Sequence, residues 1–306
     1  MMIDPKILLF CATQKGYYYL EYFIQNDLKH LIAGVFSFEE KNVSESYYQK
    51  IEDLCSRSNL TFFNWRREKD QIEKIIIETQ TTHVIMISWG FLLSTSLTKL
   101  LKSPIIVYHD SLLPRYRGFS PLPTAIINGE EEVGFTILLA DEEMDAGNIL
   151  FQKSYPLPAD AYIKEITEQI SEGYANSIPE LLEILRLEFS QGIPQDNSKA
   201  TYSIWRDLED MKIDWGKSAK EIYNFIRALG PPYRGAYSYY GDVKIYIYKS
   251  TPVEDVYFES RHPGKIWKST GSEAIIVCGE GMLKVEKVYD SNGQPFNFNR
   301  LRMRLK

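Results

Sequence analysis

Cysteine and long apolar runs are both scarce in this chain of 306 residues. Its three cysteines, Cys11, Cys55 and Cys278, lie far apart with no Cys-x-x-Cys pair, so neither a disulfide framework nor a cysteine-based zinc site is indicated. No apolar run approaches the roughly 20 residues needed to cross a bilayer. The N-terminus has no basic leader, and residues 6–12 are more typical of a buried strand than of a signal peptide. We therefore expect a cytoplasmic protein with no membrane partner.

The composition is that of a globular protein, and its charge is unevenly distributed. Charged residues make up 25% and apolar residues 44%, which excludes a disordered, collagen-like or coiled-coil chain. Residues 1–199 carry 18 basic and 28 acidic side chains, whereas residues 200–306 carry 17 and 13. The acidic excess argues against a nucleic-acid partner for the first part. The basic tail is compatible with a polyanion, a diphosphate-linked sugar or a partner subunit.

Short apolar runs alternate with helical patterns through the first 190 residues. We predict strands at Lys6–Cys11, Leu31–Phe38, Leu60–Phe63, His83–Ser88, Ile105–His109 and Gly134–Leu139, and helices at Tyr17–Gln25, Glu45–Ser58, Asp70–Thr79, Thr95–Leu101 and Pro121–Asn128. This alternation predicts an α/β fold with a doubly wound, mostly parallel, Rossmann-like sheet. Such sheets bind ligands beyond the carboxyl ends of their strands.

The second part of the chain has a different pattern. Capping boxes at Ser177 and Ser218 predict two helices, the first ending near Gly192. Glycine turns then separate predicted strands at Ala236–Tyr240, Val243–Tyr248, Gly264–Lys268, Ala274–Cys278 and Met282–Val288. Short strands of this kind are typical of a small antiparallel barrel of OB type. We therefore predict a first domain over residues 1–199, followed over residues 200–306 by a linker helix and a small OB-like β domain.

Two residues at predicted strand ends are candidates for chemistry. His109 is one of only four histidines, and it ends a predicted parallel strand, where a proton carrier could act. Asp145 follows the next predicted strand, and a carboxylate there could orient the imidazole. A structural histidine and an acidic surface turn are the alternatives. A metal site from Asp141, Glu142, Glu143 and Asp145 lacks a histidine or cysteine pair, so we predict no metal.

The segment around His109 makes the sequence recognisable. Residues 107–118 read Val-Tyr-His-Asp-Ser-Leu-Leu-Pro-Arg-Tyr-Arg-Gly, and residues 145–147 read Asp-Ala-Gly. This combination resembles the 10-formyltetrahydrofolate-dependent formyltransferases, a family that includes methionyl-tRNA formyltransferase and the sugar N-formyltransferases. Residues 213–215, 226–233 and 277–281 resemble the family's linker and C-terminal domain. The resemblance therefore spans nearly the whole chain.

The resemblance implies formyl transfer from 10-formyltetrahydrofolate to an amine through a tetrahedral intermediate. His109 would move protons between the amine and the folate nitrogen, and Asp145 would orient and tune the imidazole. Residues expected to bind the folate are Phe91, Leu92, Leu93, Asp141, Glu142, Glu143 and Met144, and those expected to contact the acceptor are Ser111, Tyr116, Arg117 and Tyr233. The first strand is followed by Ala-Thr-Gln-Lys-Gly rather than Gly-x-Gly-x-x-Gly, which argues against a dinucleotide cofactor.

The sequence departs from the family pattern at one position. The family has an asparagine two residues before the catalytic histidine, where its amide stabilises the oxyanion, and this chain has Val107. Loss of one oxyanion donor typically lowers the rate by roughly 10²–10³-fold. Tyr108 cannot replace the amide, because strand alternation puts it on the face opposite His109. Either another donor such as Ser88, Ser111 or a backbone amide replaces it, or the site is slow, repurposed or inactive.

The acceptor is predicted from charge and aromatic content. The tRNA-formylating relatives have a basic loop after the second strand, where this chain has the acidic stretch Glu39–Glu45, which is unsuited to phosphate contacts. Tyr116, Trp205 and Tyr233 are aromatic candidates for stacking on a substrate. We therefore expect a nucleotide-activated amino sugar destined for a polysaccharide. Methionyl-tRNA formyltransferase, a formyl-folate hydrolase and a catalytically impaired homologue are the alternatives.

The oligomeric state is open at this stage. Sugar-formylating relatives are often dimers built through the C-terminal region. The many aromatic residues of the segment 233–248 would suit a homodimer interface, but they would equally suit the core of a monomeric barrel.

Overall fold

A seven-stranded sheet forms the centre of the first domain. The computed structural model describes residues 4–40, 45–186, 191–300 and 302–306, so most of the acidic stretch Glu39–Glu45 lies outside the described residues. The strands of this sheet are β1 (Ile7–Cys11), β2 (Ile32–Ser37), β3 (Phe62–Asn64), β4 (His83–Ile87), β5 (Ile106–His109), β7 (Glu132–Leu139) and β8 (Ile149–Pro156). The short strand β6 (Arg117–Gly118) lies outside this sheet. The sheet order is β3-β2-β1-β4-β5-β7-β8, with the first five strands parallel and the last two antiparallel.

Helices cover both faces of this sheet. They are α1 (Thr13–Gln25), α2 (Tyr48–Ser58), α3 (Trp65–Glu68), α4 (Ile72–Glu78), α5 (Pro121–Ile127), α6 (Ile163–Asn176) and α7 (Ile178–Arg186). Alternate residues of β1 belong to two separate cores, since Ile7 and Leu9 pack with α1 and α6 whereas Leu8 and Phe10 pack with α4. Burial on both faces is typical of central parallel strands. The predicted α/β fold with a mostly parallel sheet is therefore confirmed.

Strand β8 and helix α6 are among the elements that the sequence analysis did not predict. Strand β8 is the outermost strand of the sheet. Its polar residues 152–154 interrupt the alternation of apolar and polar residues by which a strand is predicted. Helix α6 follows it directly. The capping box predicted at Ser177 does not form, because its hydroxyl donates to the Tyr174 carbonyl at 2.8 Å and bonds the Tyr108 hydroxyl at 3.1 Å. Residues 187–190, which precede the predicted helix end near Gly192, lie outside the described residues.

A linker and a small β domain complete the chain. Strand β9 (Tyr202–Ser203) pairs with β6, and helix α8 (Ala219–Leu229) begins at the predicted capping box, with Ser218 and Glu221 hydrogen-bonded reciprocally at 2.9 and 3.2 Å. The remaining strands are β10 (Ala236–Tyr240), β11 (Val243–Ile247), β12 (Ser250–Val253), β13 (Ile266–Ser269), β14 (Ala274–Val277), β15 (Met282–Val285) and β16 (Val288–Asp290). None of the described helices combines the length and apolarity required to cross a membrane.

The β domain consists of two antiparallel sheets, as the predicted strands require. Their orders are β10-β11-β16 and β12-β15-β14-β13, and one apolar core joins both sheets to α8. The predicted strand Met282–Val288 is divided into β15 and β16, because the chain passes from the second sheet to the first after Val285. The linker contacts the preceding part of the chain where β9 pairs with β6.

Candidate active site

A cavity of about 300 Å³ opens beyond the carboxyl ends of β4 and β5. Its volume lies at the lower end of the range for small-molecule sites, roughly 300–1,000 Å³. The polar and acidic residues that line it include Ser88, His109, Asp110, Asp141 and Asp145, and the apolar ones include Met86, Trp89, Phe91, Leu92, Leu93, Ile105, Val107, Phe119, Leu138 and Met144. The structure thus brings the two predicted catalytic residues and most of the predicted folate residues to one place.

His109 ends β5 and is held by a backbone carbonyl. Its Nε2 lies 2.8 Å from the carbonyl oxygen of Tyr116. Because a carbonyl only accepts hydrogen bonds, Nε2 carries a hydrogen in this arrangement, and Nδ1 is the nitrogen that can accept or release a proton. Nδ1 lies 3.5 Å from Oδ2 of Asp145, a long contact of the kind that tightens when a substrate binds.

Asp145 is fixed by contacts from two other segments. Its Oδ2 accepts the backbone N–H of Gly118 at 2.7 Å. Only glycine fits there, since φ is +98° and a Cβ atom would lie 2.4 Å from the carbonyl oxygen of Ser203. The Gln195 amide donates to the carbonyl oxygens of Asp145 and Gly147, both at 2.7 Å. The sequence analysis missed Gln195, whose only signal is its place in the polar linker.

The backbone around the cavity adopts unusual conformations. Ser88, Tyr116, Ser120 and Asp145 all have positive φ, between +49° and +60°, although none is glycine. Such conformations are uncommon for residues with side chains and cluster at functional sites, where the surrounding structure imposes them. The loops after β4, β5 and β7 are therefore held in a shape that their sequences alone disfavour.

The predicted folate residues divide into two groups. Phe91, Leu92, Leu93, Asp141 and Met144 line the cavity. Glu142 and Glu143 are exposed and are not among the lining residues of the cavity, so their contact with folate stays a prediction.

Trp89 connects the cavity to an aromatic cluster. Its ring lies 5.1 Å from Phe10, 5.0 Å from Phe38 and 5.2 Å from Trp65, measured between centroids, in edge-to-face contacts. The indole Nε1 is buried and has no hydrogen-bond partner among the described residues. The cluster fixes the ring and leaves its N–H available to a ligand.

The residues around the missing asparagine are placed as the strand alternation predicts. Val107 lines the cavity, whereas the Tyr108 hydroxyl lies on the other face and bonds Tyr19 at 3.2 Å. Of the two serines considered as replacements, Ser111 donates its hydroxyl to the Arg115 carbonyl at 2.6 Å. The Ser88 hydroxyl oxygen is buried without a partner among the described residues.

The predicted acceptor contacts are mostly engaged elsewhere. Arg117 is only 1% exposed, and its guanidinium binds Gln195 and Asn197, so it supports the linker and is not open to a substrate. The Tyr116 hydroxyl donates to Glu130 at 2.5 Å. Ser111, Tyr116, Arg117 and Tyr233 are all absent from the residues lining the cavity.

A buried ion pair lies behind His109. Lys15 Nζ and Asp110 Oδ2 are 2.6 Å apart, and the Tyr174 hydroxyl donates to Oδ1 at 2.5 Å. Burial acts to raise the pKa of Asp110, but the charge of the Lys15 ammonium and the hydrogen bonds from Lys15 and Tyr174 together hold this pKa below its ordinary value. Burial also raises the pKa of Tyr233, and the Lys15 charge opposes that shift. The pair ties helix α1 to the end of β5.

The fold and site define a two-domain transferase with a histidine–carboxylate pair at the sheet edge. A formyl transferase family profile matches residues 21–182, and the profile of the formyl transferase C-terminal domain matches residues 207–303. The methionyl-tRNA formyltransferase of Clostridium novyi (strain NT) is 32% identical over 248 residues, which are 80% of this chain and 79% of that protein. The chain belongs to the formyl transferase family. It is an enzyme of folate-dependent one-carbon transfer.

Solved structures share this fold. An N-formyltransferase from Helicobacter canadensis, in complex with folinic acid and dTDP-3-aminofucose, superposes with a TM-score of 0.69 at 19% identity. The superposition covers 93% of this chain and 100% of that chain. HypX from Aquifex aeolicus, in complex with tetrahydrofolic acid, gives a TM-score of 0.66 at 17% identity over 94% of this chain. This chain spans only 45% of the HypX chain.

Proposed function

We propose that this enzyme transfers the formyl group of 10-formyltetrahydrofolate to the amine of a nucleotide-linked amino sugar. The observation that carries the acceptor class is a strip of exposed aromatic side chains beside the cavity. Phe119, Tyr202 and Trp205 are 43%, 69% and 61% exposed. Phe119 lines the cavity, and its N–H donates to the Ser203 carbonyl at 2.9 Å, which joins the strip to the site. Stacking on an aromatic ring contributes about 1–3 kcal/mol per base.

The charges around the cavity support an amine acceptor. Asp110, Asp141 and Asp145 line it, and no lysine or arginine is among the described residues that do so. A tRNA acceptor stem requires several basic contacts, which this wall does not supply.

Arg206 supports a diphosphate next to the aromatic strip. It follows Trp205 directly, and its Nη2 donates to the Thr124 hydroxyl at 2.9 Å. Nη1 is buried without a partner among the described residues. A guanidinium with free N–H groups is well suited to the planar oxygen pairs of a phosphate. The strip and Arg206 together fit the two parts of a nucleoside diphosphate.

The cavity walls fit a folate. A pterin has apolar faces and a polar edge. The apolar walls formed by residues such as Leu93 and Ile105, together with the uncommitted Trp89 N–H, match this combination. We keep residues 1–199 as the proposed catalytic domain and residues 200–306 as the linker and β domain.

His109 and Asp145 have defined roles in the proposed reaction. The amine nitrogen bonds to the formyl carbon while the carbonyl electron pair moves to oxygen, and Nδ1 of His109 takes a proton from the nitrogen. When the carbonyl re-forms, the bond between carbon and the folate N10 breaks, and N10 receives that proton. Asp145 stabilises the imidazolium between the two transfers. The products are a formamide and tetrahydrofolate.

Methionyl-tRNA formylation is the second candidate, and the Clostridium novyi relative is the observation that favours it. A catalytically impaired homologue is favoured only by Val107.

A homodimer through the segment 233–248 is not part of the proposal, because Tyr237 and Tyr240 are 2% and 7% exposed and lie inside the β domain.

The acceptor proposal is tested by comparing acceptors and two tryptophan variants. Purified enzyme with 10-formyltetrahydrofolate is expected to formylate dTDP-3-aminofucose or a related nucleotide amino sugar faster than methionyl-tRNA. Trp205→Ala is expected to raise KM for the sugar nucleotide about tenfold through lost stacking. Trp267→Ala is the matched control, because Trp267 is 46% exposed on the distant strand β13. Faster formylation of methionyl-tRNA would overturn the sugar assignment.

A further inference from the structure

We infer that the Ser88 hydroxyl is the side-chain donor to the formyl oxygen during transfer, in the place that Val107 leaves without one. The first support is position. Met86 pairs with Val107 and Ile87 with Tyr108 across β4 and β5, and Ser88 follows this pairing directly at the carboxyl end of β4. Ser88, Val107 and His109 all line the same cavity. Ser88 therefore belongs to the same site as the group that exchanges protons with the reacting atoms.

The second support is the uncommitted state of the hydroxyl. Its oxygen is buried and has no partner among the described residues. A buried polar group without a partner is destabilising by about 1–3 kcal/mol, so proteins keep few of them and usually for a reason. Ser88 also has φ +49°, a strained conformation at the exit of β4. Both features are explained if the hydroxyl is reserved for a ligand oxygen.

The third support is that the other side chains weighed as replacements are engaged or face away. The Ser111 hydroxyl is engaged by the Arg115 carbonyl, and the Tyr108 hydroxyl lies on the opposite face of β5. Asp110, Asp141 and Asp145 are carboxylates that repel a developing negative charge. Of the hydroxyls weighed for this role, that of Ser88 is the one that is uncommitted and lies on a residue lining the cavity.

The chemistry requires a donor but no proton transfer from it. As the amine attacks, the carbonyl electron pair moves to oxygen, and the Ser88 O–H hydrogen-bonds to the charge that develops there. When the pair returns to form the new carbonyl, the bond to N10 breaks and His109 protonates N10. Ser88 keeps its proton throughout. This inference rests on the proposed roles of His109 and Asp145, but not on the identity of the acceptor.

The test compares two serines that differ in position but not in chemistry. Ser37 ends β2, its hydroxyl oxygen is also buried without a partner among the described residues, and it is not among the residues lining the cavity. Ser88→Ala is expected to lower kcat about 10²-fold. Ser37→Ala is expected to change kcat less than twofold. Thermal unfolding of both variants checks that neither substitution acts through the fold.

Two further measurements separate an oxyanion donor from a folate contact. Tetrahydrofolate has no formyl oxygen, so its affinity, measured by calorimetric titration, is expected to stay within twofold of wild type in Ser88→Ala. Val107→Asn in the Ser88→Ala background is expected to restore at least tenfold in kcat. Undiminished kcat in Ser88→Ala, an equal loss in Ser37→Ala, or weakened tetrahydrofolate binding with no rescue by Val107→Asn would each overturn the inference. If methionyl-tRNA is the acceptor, only the sugar proposal fails, and Ser88→Ala must still lower kcat with that acceptor.

Discussion

Two buried histidines lie at opposite ends of the parallel strands of the central sheet. The side where these strands begin is called the amino edge here, and the side where they end the carboxyl edge. His83 begins β4 at the amino edge and is 6% exposed, and His109 ends β5 at the carboxyl edge and is 7% exposed. Nδ1 of His83 bonds the Thr82 hydroxyl at 2.8 Å, whereas Nδ1 of His109 lies beside the carboxylate of Asp145 at the cavity. Burial and residue type are thus shared, whereas the place along the strand and the partners of the ring distinguish the candidate catalyst from the structural histidine.

The electrostatic surroundings follow the same division. Burial, reinforced by the positive charge of Lys102, lowers the pKa of His83 from its ordinary value of 6.5 to about 4, so this ring is neutral near neutral pH. At the carboxyl edge, the next residue after His109 is Asp110, whose charge is balanced by Lys15. The carboxyl edge therefore holds a buried pair of opposite charges, whereas the buried ring at the amino edge is neutral.

The largest effect is expected from replacing one histidine but not the other. His109→Ala should lower kcat by about 10³-fold, because it removes the group that exchanges protons with the amine and the folate nitrogen. His83→Gln should leave kcat within about twofold of wild type. Steady-state kinetics on both variants, with circular dichroism to check folding, measures the contrast. Equal losses of kcat would break the proposed distinction between the edges.

A smaller effect, on stability, is expected from the ion pair at the carboxyl edge. Lys15→Met leaves Asp110 buried with only the Tyr174 hydroxyl as support, and it should lower the free energy of unfolding by about 3 kcal/mol. Lys164→Met is the control. Its Nζ lies 4.0 Å from Glu168 on an exposed helix face, where a pair contributes less than about 0.5 kcal/mol. Urea titrations of the two variants that gave the same midpoint would contradict the prediction.

The smallest effect is expected at the amino edge, and it depends on pH. Because the folded-state pKa of His83 is lowered, the unfolded chain binds its proton first, so stability is lost as pH falls from 6.5 to about 4. The slope from this residue is at most about 1.4 kcal/mol per pH unit, and it fades to zero within about one pH unit above 6.5. His83→Gln should remove this slope.

The free energy of unfolding of both proteins is measured across this pH range. Burial raises the pKa of Glu40 to about 7, and this group contributes equally to wild type and variant, so the difference between them isolates His83. Identical slopes would show that His83 does not titrate as its burial requires.

The sequence predicted well those parts of the structure in which local pattern and tertiary environment agree. Strands β1, β4 and β5 are continuous apolar runs because both of their faces are buried, and such runs could be predicted as strands from the sequence. His109 and Asp145 could be paired because each follows such a strand within a recognisable motif.

The rest depends on contacts between distant segments. The edge strand β8 has half-exposed, polar positions that do not alternate, so its pairing with β7 could not be seen locally. Arg117 resembles a substrate-binding residue in its motif, yet Gln195 and Asn197 from the linker bury it. The Ser177 capping box has the right residues, but tertiary contacts with Tyr108 take its hydroxyl.

The linker also helps to position the site, because its strand β9 pairs with β6 over two residues. Gly118 lies in this ladder opposite Ser203, and its N–H holds the carboxylate of Asp145. Gln195, from the same linker, holds the carbonyl of Asp145. The linker therefore bears on this candidate catalytic residue twice: through the Gly118 N–H at its carboxylate, and through the Gln195 amide at its backbone.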